Sequence, residues 1–491
     1  MELIKLMNGI QNYKSKGEMT LDVKGIACDS RQVKPGFVFV AIRGFEADGH
    51  DFVGDAIANG AIALVLDMGA DLKKVKITNK DITVIIAEDT RKALALMSCN
   101  FYGNPSSKFK LIGVTGTKGK TTTTYMIKSI LEKEGHKVGL IGTIANYIGE
   151  ECLGESSRTT PESLELQQLF YKMAKEKVEY VVMEVSSQSL KLNRVLGTYF
   201  DYAIFTNLYE DHISSKEHPN MQDYFESKLK LFLMAKKGYV NADDFKCNKI
   251  KKAATNCDIK TYSIDNNSDM IAKDITITNV SVDFKTKLDG RNERIKVNIP
   301  GRYSVYNALA AISITKDLGV KTESIKEALE SIIVPGRNEL VPNKKELAIM
   351  IDYAHTAESL ENILKATKAY TQGRVICVFG CGGDRDKTKR PRMGEVAGRV
   401  ADYTIITTDN PRTEKPEDII AQIEEGTSKT KGKYEVIVDR KQAIKKAIEM
   451  MNTKDILILA GKGHETYQEI NGVKNPFDER EIIKEILGEK K

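Results

Sequence analysis

The chain has 491 residues, enough for roughly three domains. Hydrophobic residues make up 41% and charged residues 29%, which excludes disorder, collagen and coiled coil as the main description. Lys and Arg number 74 against 68 Asp and Glu, and the resulting +6 is spread thinly. With no basic segment and no Trp, no nucleic-acid partner is implied, while small acidic ligands stay open.

Seven cysteines are scattered without any CxxC, so neither a zinc knuckle nor a disulfide framework is expected. A reducing cytoplasm is the expected location. The first residues lack an apolar h-region, and no apolar run approaches ~18 residues, so neither a signal peptide nor membrane insertion is expected.

The first hundred residues read as a short α/β block, and Tyr102 to Ser107 as a linker. Strands are then expected at Leu111–Thr115, Val138–Ile141, Tyr180–Val185 and Ala203–Thr206, with helices between them, the pattern of a parallel sheet. Residues 240–300 read as β-rich connecting structure. Val334 to Arg337 is a second boundary. The expected domains are therefore 1–103, 104–334 and 335–491.

The last third alternates strands and helices. Strands read at Ala348–Ile351, Arg374–Phe379, Tyr403–Thr407, Tyr434–Val438 and Asp455–Ala460, and a helix at Gln442–Met451. Each strand runs into a polar or Gly-rich loop, and such loops form the ligand crevice of an open α/β sheet.

Gly116-Thr117-Lys118-Gly119-Lys120-Thr121-Thr122 follows a strand and opens a helix. Backbone N–H groups there suit phosphate oxygens, Lys120 suits the β/γ-phosphates, and the Thr121 hydroxyl suits Mg²⁺. A ligand-free Gly-rich turn has the same outline, and the first Gly of the usual P-loop falls at Val114. Glu184 ends the next strand, where Mg²⁺ is often held, although a lone strand-end Glu is more often solvated. His212 ends another strand, and a lone His is more often structural than a ligand. Of six histidines, four lie in compact motifs, with Asp48-Gly49-His50, Asp211-His212, Tyr353-Ala354-His355 and Gly463-His464-Glu465. Arg385 and Arg412 sit in loops fitted for carboxylate recognition, while Asp409 and Glu465 suit an ammonium group. Together they would receive a zwitterion such as an amino acid. Separately, either loop reads equally as surface salt bridges.

In this order, the motifs resemble the Mur ligases over nearly the whole chain. The carrying segments are Asp29-Ser30-Arg31 to Gly36 with Asp48 to His50, Gly116 to Thr122, Thr159-Thr160-Pro161, Glu184-Val185-Ser186-Ser187, Asn207 to His212, Tyr224 to Lys228, Tyr306-Asn307-Ala308, Pro335-Gly336-Arg337 and Asp352 to His355. Asp409-Asn410-Pro411-Arg412 resembles the family's signature for meso-diaminopimelate.

The resemblance implies an α/β fold of three domains: a UDP-sugar-binding N-terminal domain, a central P-loop ATPase-like parallel sheet, and a C-terminal Rossmann-like doubly wound domain. It implies an ATP-dependent ligase of peptidoglycan precursor synthesis that adds meso-diaminopimelate to UDP-N-acetylmuramoyl-L-alanyl-D-glutamate through an acyl phosphate. Lys120, Glu184, His212 and Lys228 are the implied catalytic residues, and Thr121, Glu184, His212 and carbamoylated Lys228 the implied Mg²⁺ ligands. ATP, the co-substrate, falls to Gly116, Thr117, Lys118, Gly119, Lys120, Thr121, Thr122, Asn307, Arg337, Asp352 and His355. The UDP-muramoyl dipeptide falls to Ser30, Arg31, His50, Thr159, Thr160, Ser186 and Arg194. The amino acid falls to Arg385, Asp409, Asn410, Arg412, Gly461 and Glu465. The partners are these small molecules, and a monomer is expected.

The central segment departs from the family pattern at Arg158, Gln188 and Leu192, and in Ile213-Ser214-Ser215-Lys216-Glu217. Lysine or another diamino acid, a modified acceptor, and a non-catalytic nucleotide-binding scaffold are the alternatives.

Overall fold

The computed structural model describes residues 1–489 except 46, 72–74, 76, 78–80, 157, 215 and 216. The chain forms two compact units. One is Met1–Asp269 with Ser313–Leu318, and the other is Met270–Ile312 with Gly319–Lys491. The expected central segment, 104–334, thus contributes to both units.

The first unit holds two sheets. In the first, Gly25–Ala27, Phe37–Val40, Ala61–Asp67 and Thr83–Ala87 run parallel, and Tyr13–Lys16 closes the edge antiparallel. Both faces are covered, as the alternation along the strands requires. Val38, Val40, Ala63 and Val65 pack on one side, and Phe39, Ala41, Leu64 and Leu66 on the other.

The second sheet carries the phosphate loop. Asp258–Ser263, Ala235–Asn241, Phe200–Phe205, Lys110–Thr115, Tyr180–Glu184 and Val138–Ile141 lie side by side in that order, all parallel. Ala145–Ile148 and Glu151–Glu155 extend it antiparallel. The short apolar runs match buried strands, since Leu111, Ile112, Val114, Val181, Val182 and Met183 are all fully buried. Lys110–Thr115 is central, so its carboxyl end is flanked by the ends of Tyr180–Glu184 and Phe200–Phe205. That edge is where the Gly-rich loop, Glu184 and the segment to His212 emerge.

In the second unit, Lys273–Ile277, Val282–Leu288 and Arg291–Val297 form an antiparallel sheet. A larger sheet orders Ala348–Asp352, Ile456–Ala460, Val375–Phe379, Tyr403–Ile406 and Tyr434–Val436 in parallel. Ile456–Ala460, the last of these strands in chain order, lies between the first two, the crossover of a doubly wound sheet. Met350, Cys377, Phe379 and Ile458 face one layer of helices, and Ile349, Ile376, Val378 and Leu457 face the other. The register aligns Asp352, Ala460, Phe379 and Ile406, so the polar loops that follow share one edge.

Candidate active site

The turn after Lys110–Thr115 is made by glycines. Gly116 has φ 147°, and a Cβ there would collide with the Thr206 hydroxyl. Gly119 has φ 87° and precedes the helix Lys120–Lys133, which no side chain caps. At such a helix start the dipole favours an anion. Lys118 is tied down by its backbone N–H to Asn207 Oδ1 at 2.9 Å and by its ammonium to Asp211 at 3.0 Å.

Below this loop, Thr121 Oγ1 donates to Glu184 Oε2 at 3.0 Å. Glu184 is buried and also accepts from the Thr143 backbone N–H at 2.8 Å and the Thr143 hydroxyl at 3.1 Å. Thr143 Oγ1 lies 3.1 Å from Thr159 Oγ1, and Thr160 Oγ1 donates to the Glu184 carbonyl at 2.9 Å. The Thr159-Thr160 pair is thus fastened to the strand end that carries Glu184.

Lys120 Nζ donates to the carbonyls of Gly116 and Thr117, and Lys228 Nζ donates to Gly116 at 2.9 Å. Lys228 projects from the helix Met221–Met234, is 2% exposed, and stands 4.4 Å from the Tyr224 ring. Burial, reinforced by the Lys120 ammonium, holds its amine well below the usual lysine range. Tyr224, in turn, pairs with Thr117 Oγ1 at 3.1 Å.

A cleft of about 260 Å³ opens among Lys120, Arg158, Thr159, Thr160, Ser186, Ser187, Gln188, Arg194, His212, Glu217, His218, Tyr224 and Lys228. Two lysines, two arginines and two histidines face a single carboxylate there, so the cleft attracts anions. Arg194 is held by Glu162 at 2.9 Å and by the Thr160 carbonyl at 3.2 Å. His212 sits at φ 59° with Nδ1 2.8 Å from Glu217 Oε2. His218 is buried, with Nδ1 2.5 Å from Asp223 and Nε2 2.9 Å from Ser187 Oγ. The expected site lacked His218, Tyr224, Ser187 and Glu217. The (i, i+4) spacing of Tyr224 and Lys228 on one helix was the available signal.

In the first sheet's loops, Asp29 caps the turn at Ser30–Gln32 and pairs with the exposed Arg31 at 2.6 Å. Ser30 is buried. Both ring nitrogens of His50 are engaged, Nδ1 with Asp48 at 2.5 Å and Nε2 accepting from the Asp67 backbone N–H at 3.0 Å. That ring therefore holds the loop in shape. Ser215 and Lys216 lie outside the described residues.

The second unit gathers a different set. Asp409 is buried, and its Oδ1 accepts from the Asn410 backbone N–H at 2.7 Å. Its Oδ2 is buried without a hydrogen-bond partner, and the nearest cation, Arg440, is 4.0 Å away. Gly461, at φ 109°, makes room, since a Cβ there would lie 2.7 Å from that oxygen. Asn410 Nδ2 donates to Glu465 Oε2 at 2.8 Å. Burial pushes the Glu465 carboxyl up, against the pull of Lys462. Arg412, at φ 51°, bonds Glu469 through Nε at 3.0 Å and the Gly383 carbonyl through Nη1 at 2.9 Å. Arg385 is exposed.

Arg337 lays its guanidinium 5.3 Å from the Tyr353 ring centre, and its buried Nε has no hydrogen-bond partner. Asp352 accepts from the backbone N–H groups of Asn338 and Ala354, both at 2.9 Å. His355 Nδ1 meets the Tyr353 carbonyl at 2.8 Å, and Asn307 is buried on the helix Arg302–Asp317.

Family profiles match three successive stretches: a Mur ligase catalytic domain at residues 22–102, a Mur ligase middle domain at 114–315, and a Mur ligase glutamate ligase domain at 336–463. A protein of Caldanaerobacter subterraneus subsp. tengcongensis named UDP-N-acetylmuramoyl-L-alanyl-D-glutamate--2,6-diaminopimelate ligase is 49% identical over 489 residues, covering 100% of this chain and 99% of its own length. This chain belongs to the Mur ligase family.

A Clostridium botulinum protein of the same name is 48% identical over 480 residues, covering 97% of this chain and 98% of its own. A solved structure under that name aligns over 99% of both chains, with a TM-score of 0.71 and 28% identity. A Mur ligase from Thermotoga maritima, the MurF ligase in complex with ADP, shares the fold at 19% identity and a TM-score of 0.58, over 96% of this chain and 98% of its own. The expected Mur ligase fold is therefore present. Of the residues expected to bind ligands in the first unit, one cleft gathers Lys120, Thr159, Thr160, Ser186, Arg194, His212 and Lys228. Thr121 and Glu184 lie bonded to each other rather than in the lining. Among the described residues, no three His, Cys, Asp or Glu side chains cluster as a metal cage. Mg²⁺ held by one or two carboxylates and substrate phosphates needs no such cage.

Proposed function

We propose that this chain is an ATP-dependent amide ligase joining meso-diaminopimelate to the D-glutamate carboxylate of UDP-N-acetylmuramoyl-L-alanyl-D-glutamate. The observation that carries this function is the cation-lined cleft beside an uncapped helix start and the Thr121–Glu184 pair.

The substrate carboxylate attacks the γ-phosphorus of ATP, giving an acyl phosphate and ADP. The amine then attacks the acyl carbon, and phosphate leaves as the amide forms. Both partners in the first step are anions, so their repulsion must be removed. The N–H groups at Gly116 to Thr122 cradle phosphate oxygens, and Lys120 shifts from its two carbonyl partners to the transferring group. Arg194 and the Thr159, Thr160 and Ser186 hydroxyls hold the acceptor in the cleft. Ser30, Arg31 and the loop braced by His50 take the uridine diphosphate end. Asn307, Arg337, Asp352 and His355 take the rest of ATP.

The donor set suits magnesium. Thr121 and Glu184 offer hard oxygens, His212 and a carbamate on Lys228 would add to the ligands, and the bound ion would neutralise phosphate charge. A bare ammonium at Lys228 would repel a cation, whereas a carbamate supplies a carboxylate-like oxygen. The buried amine next to Lys120 is the form that adds carbon dioxide, losing one proton as the N–C bond forms.

On the amino-acid side, the unpartnered Asp409 Oδ2 and Glu465 receive an ammonium group, while Arg385 and the remaining Arg412 nitrogen receive a carboxylate. One observation favours a second amino acid. Arg412 already spends two nitrogens on Glu469 and Gly383, which weakens its hold on a distal carboxylate and favours lysine as an alternative substrate.

The functional reading keeps a monomer and three segments, 1–103, 104–334 and 335–491. Among the described residues no helix is long and apolar enough to cross a membrane, which is compatible with a cytoplasmic enzyme. Acceptor labelled with ¹⁸O in the D-glutamate carboxylate tests the chemistry. One label should appear in the released phosphate, and unlabelled phosphate would exclude an acyl phosphate.

A further inference from the structure

The amino-acid cluster holds a cation of its own. Lys462 is fully buried. Its Nζ donates to Asn410 Oδ1 at 3.0 Å and to Glu465 Oε2 at 3.2 Å. The rings of Tyr467 and Phe477 stand 5.7 and 5.9 Å from it. The Glu469 backbone N–H gives Asn410 Oδ1 a second donor at 3.0 Å. With two donors on its oxygen, the Asn410 amide has one orientation open to it, and Nδ2 turns to Glu465 Oε2 at 2.8 Å. Glu465 Oε2 is thereby filled, and no described residue donates to Oε1.

The charge balance follows from the pairings. Arg412 is matched by Glu469 at 3.0 Å, and Arg440 by Glu479 at 2.8 Å. Asp409, Glu465 and Lys462 by themselves sum to one negative, with Arg337 and the exposed Arg385 outside that count. Asp409 is buried and Glu465 half-buried, so their like charges repel without a cation beside them. With Lys462 present, they accept one further positive group.

We propose that Lys462 is a positioning residue for the amino-acid substrate: it neutralises one of the cluster's two carboxylates and fixes the Asn410 amide, so that the cluster takes a single ammonium group. This rests on the ligase function above and names what sets the selectivity of its amino-acid side. Lys462 meets the substrate only through Glu465 and Asn410. A purely structural buried lysine would affect folding, and all substrates alike.

The test uses the full-length enzyme with Lys462→Met and Lys462→Gln. Each variant should raise the KM for diaminopimelate roughly tenfold or more, while the KM values for ATP and for the UDP-muramoyl dipeptide stay within about twofold. Glu465→Gln should raise the same KM, and adding Lys462→Met to it should cost less than about twofold more, because the two act through one contact. An unchanged KM in a folded Lys462 variant, an equal rise for all three substrates, or independent penalties in the double variant would overturn the assignment. So would failure of both neutral variants to fold, since Lys462 would then be structural. If the wild-type enzyme turned over no diamino acid at all, the ligase function itself would fall, which separates the two failures.

Discussion

Thr121 Oγ1 donates to Glu184 Oε2 at 3.0 Å, tying the first turn of one helix to the tip of the adjacent strand across 63 residues of sequence. The contact is made between two oxygens that both suit magnesium. Thr121→Val and Glu184→Gln should each lower kcat about a hundredfold or more, in line with the loss of a group acting on transition-state charge. Each should also raise the magnesium concentration needed for half-maximal rate. A steady-state titration with magnesium at saturating ATP checks this, and normal rates in either variant would remove the pair from the chemistry.

Lys228 is the second point of test. Lys228→Ala should abolish turnover, because the buried position then offers neither a carbamate nor an amine. A short carboxylic acid added to the assay should restore part of the rate by supplying the missing oxygens. Full activity without Lys228 would contradict the carbamate.

Much of the fold is legible in the sequence because parallel strands buried on both faces appear as short apolar runs ending at polar loops. Leu111 to Thr115 and Ala348 to Ile351 are such runs, and both emerge as strands. The antiparallel strands Ala145–Ile148 and Glu151–Glu155, and the hairpin of Tyr467–Ile470 with Val473–Pro476, are not legible in this way. Their faces are mixed, and tertiary pairing rather than periodicity defines them. At the site, residues in local motifs are readable, as with Lys120 and Thr121. Partnerships across elements are not. That His50 braces a loop with both nitrogens, and that Lys462 sits between Asn410 and Glu465, depend on distances that spacing does not encode. Gly461 of the Gly-Lys-Gly-His-Glu segment enters the expected site only through the resemblance, and its lysine is not legible as an internal cation.

The buried ion pair of Arg440 and Glu479 gives a stability prediction. Both side chains are nearly inaccessible, and Arg440 also donates to the Ala460 carbonyl at 2.9 Å. Arg440→Met alone strands a buried carboxylate and should cost about 3–5 kcal/mol in chemical denaturation. Arg440→Met combined with Glu479→Leu should recover most of that loss. A single variant as stable as the wild type would show that water reaches the pair.

Acid stability depends on Glu414. Arg390 grips it at 2.8 and 2.9 Å and holds its carboxyl down at about 2, against an ordinary value of 4.5. A depressed carboxylate contributes fully above about pH 4.5, and that contribution fades as the pH falls toward 2. Glu414→Gln should therefore be less stable at neutral pH and lose less stability than the wild type between those limits. Denaturant midpoints measured along this pH range check the slope, and parallel curves for the two proteins would contradict it.

The most direct measurement is phosphate release with ATP, Mg²⁺ and UDP-N-acetylmuramoyl-L-alanyl-D-glutamate across meso-diaminopimelate, LL-diaminopimelate, L-lysine, D-lysine and L-ornithine. Release that depends on all substrates and is strongest with meso-diaminopimelate is the predicted result, with Arg385→Ala narrowing its margin over lysine. Release with lysine alone would mean that Arg385 and Arg412 read no distal carboxylate. No release with any of the five would contradict the proposed acceptor and point to Arg158, Gln188 and Leu192 as the residues that changed it.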